Sequence, residues 1–143
     1  MTKTQWRSHC PINIGLEILG DRWSLLIVRD LMMKGRDNFR ALLDGGEHIA
    51  SNMLSDRLAK FEEFGIIVRH EDQNDLRRKV YTLTERGIAL APLLYELIVW
   101  TAEYEKTAAP PEELKKMKHN RDSYLREIEA SAKAAAKSQS SKI

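Results

Sequence analysis

Apolar residues recur at helical spacing along the first part of the chain, and each run stops at a residue that favours turns. Such spacing places the apolar side chains on one face of a helix, so each run predicts an amphipathic helix. Three helices are predicted, from Pro11 to Gly20, from Asp21 to Gly35, and from a cap at Asp37 or Asn38 to the turn at 44–46. A fourth helix is predicted in IASNMLSDRLAKFEEFGII, residues 49–67. The N-terminal half is therefore expected to be helical.

The pattern changes after the fourth helix, where helical spacing gives way to short β-rich runs. Residues 66–68 and 80–84 flank a charged segment, which predicts a β-hairpin with a long tip. A fifth helix is predicted from Thr84 to about Glu105, with a kink at Pro92, where the helix lacks one backbone hydrogen bond. Two prolines at 110–111 break the chain before a last helical pattern.

The order of these elements is that of a winged helix-turn-helix, because two short helices across a glycine turn precede a hairpin. The predicted fold class is mainly α with a small β-hairpin, with N- and C-terminal helices that serve dimerisation. Residues 1–106 are predicted to form the DNA-binding and dimerisation domain. Residues 107–143 are predicted to form a helical extension whose polar tail, 137–143, is frayed.

Composition excludes several classes of protein. The chain has 143 residues and 43% hydrophobic content, with no long apolar run and no signal-peptide pattern, so we expect a soluble, cytoplasmic protein without a membrane partner. A single cysteine and four scattered histidines predict neither an internal disulfide nor a metal site, and no cofactor is expected. The net charge of +2 does not by itself indicate nucleic acid, and residues 34 to 80 balance nine basic against nine acidic residues.

The helix at 49–67 has two faces. Its apolar stripe at Leu54, Leu58 and Phe61 leaves a small polar face at the N-terminal end, where the second helix of a helix-turn-helix meets base edges in the major groove. The predicted base contacts are Ser51, Asn52, Ser55 and Asp56. The alternative is that this is the ordinary solvent face of an amphipathic helix.

Cations near the hairpin tip and the two helices favour the DNA-binding interpretation. Arg77, Arg78 and Lys79 follow one another where a wing would meet phosphates, although neighbouring acidic residues partly cancel them. The predicted backbone contacts are Lys34, Arg36, Arg40, Arg57, Lys60, Arg77, Arg78 and Lys79. The alternative for the hairpin cations is a solvated run of charges.

These segments together resemble the HxlR-type winged-helix transcriptional regulators, which are similar in architecture to the MarR group. The resemblance spans about Cys10 to Trp100. It is carried by CPINIGLEILGDRW, WSLLIVRDLMMKG, NFRALL, IASNMLSDRLAKFEEFGII and RRKVYTLTERG. It implies a homodimer that binds double-stranded operator DNA and represses or activates nearby genes. The chain departs from the family pattern at residues 50–52, where Ser-Pro-Lys is common, and at Asn38, where Arg is usual.

The fifth helix carries more apolar surface than one small domain can bury, which predicts a C2 dimer. The alternative is that the hydrophobic core of a single chain buries this helix. The predicted interface residues are Ile12, Leu16, Leu94, Leu97, Ile98, Trp100, Tyr104, Leu125 and Ile128. The terminal helix could extend this contact or pack back on its own domain. A small-molecule effector in the interface is a separate possibility that the sequence does not identify.

Cys10 precedes Pro11 at a helix start, where the helix dipole favours a thiolate. It is therefore a candidate redox or electrophile sensor, and the resemblance adds to this because some family members sense through a cysteine at this place. The alternative is an inert small side chain. Two other functions stay open: a winged-helix protein-interaction module that does not bind DNA, and, with less support, a thiol enzyme built on Cys10.

Overall fold

The computed structural model describes residues 5–140 of the chain. Within them, helices and one antiparallel hairpin follow one another in the order predicted for a winged helix-turn-helix. The elements are α1 (Pro11–Leu19), α2 (Ser24–Met33), α3 (Phe39–Leu43), α4 (Ser51–Glu63), β1 (Ile67–Glu71), β2 (Lys79–Leu83), α5 (Glu85–Ile88), α6 (Ala91–Tyr104), α7 (Pro111–His119) and α8 (Arg121–Ser140). The predicted fold class, mainly α with a small β-hairpin, is confirmed, and a dimerisation role of the terminal helices stays a prediction.

The starts of α2 and α3 are held by residues that the sequence marks as caps, although α2 begins three residues after Asp21. Asp21 Oδ1 accepts hydrogen bonds from the backbone N–H groups of Trp23, at 2.9 Å, and Ser24, at 3.0 Å, ahead of α2. Of the two caps considered for α3, Asn38 is the one used, since its Oδ1 accepts from the N–H of Ala41 at 3.0 Å. These bonds satisfy amides that a helix start otherwise leaves without partners.

Helix α4 is seated in the core by its apolar stripe. Leu54 and Phe61 are fully buried and Leu58 nearly so. The helix ends at Glu63, and Gly65 follows with a φ of +70°, a conformation that glycine adopts without strain. This turn directs the chain from α4 into β1.

The hairpin pairs Ile67 with Leu83 and continues to Glu71 opposite Lys79. Its strands therefore reach further into the charged segment than predicted, because cross-strand pairing includes polar residues that an apolar pattern does not mark. The tip that remains spans residues 72–78. A bridge between Asn38 and Val80 ties the start of β2, next to the hairpin tip, to the start of α3.

The predicted fifth helix is two helices, α5 and α6, and the expected kink at Pro92 is wrong. Pro92 lies in the first turn of α6, where the missing N–H would have no partner within the helix in any case. Thr84 caps α5, accepting from the N–H of Gly87 at 3.2 Å. The proline therefore starts a helix instead of bending one.

The C-terminal extension also contains two helices, α7 and α8, where one was predicted. Asn120 separates them and caps α8 by accepting from the N–H of Ser123 at 3.1 Å. Helix α8 packs on α2, β2, α5 and α6 of its own chain, which was the second of the two arrangements considered. It continues to Ser140, through most of the tail predicted to be frayed, and residues 141–143 lie outside the described part.

The core joins both parts of the chain. Val28, Leu54 and Phe61 from the N-terminal helices belong to the same buried cluster as Met117 and Leu125 from the extension. Among the described residues, no helix combines the length and apolar character needed to cross a membrane.

Candidate nucleic-acid interface

The N-terminal half of α4 presents a polar face to solvent. Ser51, Asn52, Ser55 and Asp56, the four predicted base contacts, are all exposed, while the apolar stripe of the same helix is buried. Ala50 occupies the N-cap and has no side-chain acceptor, so no side chain at that position covers the first amides of α4. This end of the helix can therefore donate hydrogen bonds to an anion such as a DNA phosphate.

Arg57 lies behind this face and pairs with two carboxylates. Its Nε is 3.0 Å from Asp21 Oδ1, and its guanidinium also pairs with Asp56. The Arg57 side chain is only 19% exposed. Asp56 is thus already partnered within the protein, and the Arg57 charge is directed at the loop between α1 and α2.

Asp21 accepts hydrogen bonds at the start of α2 and also pairs with Arg57 of α4. Burial raises the pKa of Asp21, but hydrogen bonds from Ser24 and Trp23 and the nearby Arg57 guanidinium outweigh that effect and lower the pKa from 3.8 to about 2. The residue is therefore ionised at neutral pH. The Asp21 carboxylate therefore contacts both the start of α2 and Arg57 of α4.

Two more cations predicted to contact phosphate have protein partners. Lys60 Nζ donates to the backbone carbonyl of Glu17 at 3.0 Å. Arg36 donates to Asp30 at 2.8 Å, and Asp30, whose side chain is 6% exposed, also pairs with Arg29. These side chains fasten elements to one another, and a phosphate contact from them stays a prediction. Lys34 is exposed at the C-terminal end of α2.

The remaining four predicted backbone contacts come together. Arg40, Arg77, Arg78 and Lys79 line one open cleft between the start of α3 and the hairpin, with Phe39 and Tyr81 among the other lining residues. The hairpin bridge at Asn38 and the hydrogen bond from the N–H of Tyr81 to the carbonyl of Asp37, at 2.7 Å, set its width. Four positive charges therefore border a single concave surface.

Each cation at the hairpin tip also has a nearby carboxylate. The distances are 3.4 Å for Arg77 and Asp75, 3.6 Å for Arg78 and Asp72, and 3.3 Å for Lys79 and Glu71. Such exposed pairs contribute about 0 to 1 kcal/mol each, so a phosphate can replace the carboxylate at little cost. Arg77, at 94% exposed, is the most accessible of the three.

The predicted dimer surface divides into two groups. Ile12 and Leu16 on α1, and Leu97, Trp100 and Tyr104 on α6, are exposed large apolar residues. By contrast, Leu94 and Leu125 lie in the chain's own core, so their assignment to the interface is corrected: the core of a single chain already buries them. Ile98 and Ile128 are partly buried against the same core.

Cys10 is exposed at the N-terminal edge of α1, next to Pro11. Its backbone carbonyl accepts the hydrogen bond from the N–H of Ile14, which closes the first turn of the helix. Arg7 lies near the thiol in the sequence, but its guanidinium donates to Asn13 Oδ1 at 2.7 Å. Within the described chain, Arg7 is thus held against α1.

The residues that fasten α4 to α1 and the following loop carry little signal in the sequence. Glu17 had been assigned no role, and Asp21 had been considered only as a cap. Asn13, which is 9% exposed, bonds to Arg7, Ser8 and Glu17 and was likewise missed. A polar residue among the apolar positions of α1 was the one signal that could have indicated it.

The fold, the solvent face of α4 and the cationic cleft together define a winged helix-turn-helix DNA-binding protein. The model of the HxlR-like helix-turn-helix family matches residues 18–109, and the chain belongs to that family. It is a DNA-binding transcriptional regulator. Nothing among its relatives supports the alternative of an interaction module that does not bind DNA.

The HTH-type transcriptional regulator YodB of Bacillus subtilis (strain 168) is 30% identical over 96 residues, which are 66% of this chain and 85% of YodB. The structure of reduced YodB from B. subtilis has a TM-score of 0.56 at 32% identity and covers 69% of this chain and 97% of YodB. The structure of quinone-bound YodB has a TM-score of 0.55 at 30% identity and covers 66% of this chain and 99% of YodB. The redox regulator HypR in its reduced form has a TM-score of 0.58 at 26% identity, covering 66% of this chain and 92% of HypR.

Proposed function

We propose that the protein binds operator DNA as a homodimer, with α4 in the major groove and the hairpin as a wing on the phosphate backbone. The single observation that carries this proposal is the pairing of an exposed polar face on α4 with a cleft bordered by Arg40, Arg77, Arg78 and Lys79. Base edges would be contacted by Ser51, Asn52 and Ser55, and phosphates by the cleft. This mode of action is binding without catalysis, in the cytoplasm.

The dimer is supported by the exposed apolar residues of α1 and α6. Ile12 is 73% exposed on α1 and Trp100 is 64% exposed on α6, and exposed clusters of large apolar side chains mark association sites. A C2 pair would carry two copies of α4, which is the arrangement that reads two half-sites of a palindromic operator.

We further propose that Cys10 makes DNA binding responsive to oxidants or electrophiles. The supporting observations are the exposure of the thiol at a helix start and the similarity to YodB, which has been solved with bound quinone, and to HypR, which is named a redox regulator. The chain has one cysteine, so a disulfide would join the Cys10 residues of two subunits. Diamide would accept the two electrons and two protons released by the two thiols and become the hydrazine.

Selection from a random duplex pool, followed by mobility shift with and without diamide, tests both proposals. We expect a selected palindromic sequence that binds better than random duplex, and release of the wild type, but not of the Cys10→Ser variant, by diamide. Failure to retain any duplex at low salt would refute DNA binding. Equal responses of wild type and Cys10→Ser to diamide would refute the sensor.

A further inference from the structure

The two strands of the hairpin differ in burial, since β2 is almost fully covered whereas Val68, Arg69 and Glu71 of β1 are exposed. Val80, Tyr81, Thr82 and Leu83 are consecutive residues of β2, and each is at most 8% exposed. Successive side chains of a strand point to opposite faces, so both faces of β2 are covered. Helices α2 and α8 both pack against this strand. Helix α8 lies beyond residue 109, where the family match ends.

The contact surface of α8 changes from large apolar residues near its start to small residues near its end. Leu125 and Ala132 are buried, and seven positions separate them, so they lie on one face of the helix two turns apart. Ala132 and Ala135 line a groove together with Leu31 of α2 and Thr82 of β2. The methyl group of the buried Ala132 lets the helix backbone approach the strand closely, whereas Ala135 is exposed at the rim of the groove.

The beginning of α8 is anchored on α6. Arg121 Nε donates to Glu96 at 2.9 Å, and its guanidinium lies 5.3 Å from the centre of the Tyr95 ring. Tyr95 Oη donates to the backbone carbonyl of Met117 at 3.2 Å, and Met117 is 2% exposed. These contacts fix the helix at the element that carries the proposed dimer surface.

The other end of α8 reaches the hairpin tip. Gln139 lines a polar recess together with Asp72, Asn74 and Arg78. A helix of 20 residues is about 30 Å long, so α8 spans the distance from α6 to the loop that carries the wing cations. The extension therefore connects the dimer side of the molecule to the DNA side.

We propose that α8 is a brace that fixes the position of the wing, and that residues of its small-residue face are positioning residues for phosphate contact by Arg77 and Arg78. The contribution of the wing to DNA affinity rests on the proposed function, whereas the bracing itself does not. Without the brace, β2 exposes a second apolar face and the tip loses the neighbour that limits its movement. The wing then loses phosphate contacts, because ordering its loop against the DNA costs conformational entropy.

Hydrogen exchange tests the brace without DNA. Ala132→Glu places a charge at a buried position against β2, Ala135→Glu places one at the exposed rim of the same groove, and Ala134→Glu, exposed and outside the groove lining, is the control. We expect several-fold faster exchange of the amides at 72–81 in the first two variants, and wild-type exchange there in the control. Amides of α4 should stay protected in all of them, which separates loss of the brace from general unfolding. Wild-type exchange of the wing in both folded groove variants would overturn the proposal.

A double-mutant cycle on the selected operator duplex tests the consequence for binding. We expect Ala135→Glu, like Arg78→Ala, to flatten the log–log slope of affinity against salt by about 1 for each phosphate that the wing no longer binds. In the double variant, Ala135→Glu should cause little further loss of affinity beyond that of Arg78→Ala. Full additivity of the two substitutions would show that α8 does not act through the wing. If the wild type binds no duplex, the proposed function fails, while the exchange experiment still decides whether α8 braces the wing.

Discussion

Lys60 Nζ donates a 3.0 Å hydrogen bond to the backbone carbonyl of Glu17, although the two residues lie 43 positions apart in the sequence. The bond joins α4, the helix with the polar solvent face, to the C-terminal half of α1. The contact between Arg57 and Asp21 makes a second connection on the same side of α4. Helix α4 is therefore fastened on one side to α1 and the loop after it, the region that also carries Ile12 and Leu16 of the proposed dimer surface.

Substitution of Lys60 distinguishes this fastening role from the phosphate contact expected from the sequence. We expect Lys60→Ala to lower the free energy of unfolding by about 1 kcal/mol, the contribution of a typical hydrogen bond. DNA affinity should fall while the slope of affinity against salt stays unchanged, because the number of bound phosphates stays the same. Arg77→Ala is the matched comparison, since its side chain is exposed in the cleft and should flatten the slope by about 1. A flattened slope in Lys60→Ala would mean that Lys60 contacts phosphate.

Asp21 makes the free energy of unfolding depend on pH in the acid range. A carboxyl whose pKa is lower in the folded state stabilises the fold above its unfolded value, 3.8 here, and loses that contribution as pH falls towards about 2. We expect Asp21→Asn to lower the free energy of unfolding by less than about 2 kcal/mol at pH 7, since the side chain is partly exposed. The difference from wild type should shrink in urea titrations below pH 4.

Asp44→Asn serves as the control for that experiment. Asp44 is an exposed carboxylate whose partner is Arg40, four positions earlier on α3. Its removal should change stability by no more than about 0.5 kcal/mol at any pH, as for other surface pairs. An equal acid dependence in Asp21→Asn and wild type would contradict the role assigned to Asp21.

The sequence predicted the helices and the hairpin well because their signals are local. Caps such as Asn38 and the apolar stripe of Leu54 and Phe61 act within a few residues, so spacing alone identifies them. Pro92 was misplaced because a proline is compatible with both a kinked helix and a helix start, and only the path of the chain decides between them. The packing of α8 was left open because alanines such as Ala132 give little hydrophobic signal.

The candidate site could be predicted only in part, because only some of its signals are local in the sequence. The exposed face of α4 follows from helical periodicity, and the cleft cations Arg77 and Arg78 follow from a charge run beside a predicted hairpin. Whether a cation faces DNA or a neighbouring helix depends on tertiary packing. Arg57 and Lys60 have the same residue types as phosphate ligands, and only the approach of α1 reveals their protein partners.

Asn52 is the strongest candidate for reading a base, because it is exposed in the first turn of α4 and its amide can pair with both hydrogen-bonding groups of adenine. We expect Asn52→Ala to relax the preference at one base position of the selected operator by about 1 to 3 kcal/mol while leaving the salt slope unchanged. Competition binding against single-base variants of the operator measures this. A loss of affinity that is uniform over all variants would assign Asn52 to the backbone instead.

Trp100 and Tyr104 form an aromatic pair on the surface of α6, with ring centres 6.0 Å apart. Both are largely exposed in the single chain, which a homodimer would explain by burying them against the second copy. Burial of such a side chain contributes about 2 kcal/mol or more, and C2 symmetry makes every substitution count twice. We therefore expect Trp100→Glu to raise the dimer dissociation constant by roughly a thousandfold, as sedimentation equilibrium would show.

Leu76→Glu is the control for the dimer experiment, because Leu76 is a similarly exposed large apolar residue, at 67%, but belongs to the hairpin tip and not to α1 or α6. We expect it to leave the dissociation constant unchanged. Circular dichroism of both variants should show helical content like that of wild type, since neither side chain belongs to the core. A wild-type protein that sediments as a monomer at micromolar concentration, or a Trp100→Glu dimer as stable as that of Leu76→Glu, would contradict the assignment of this face to the dimer.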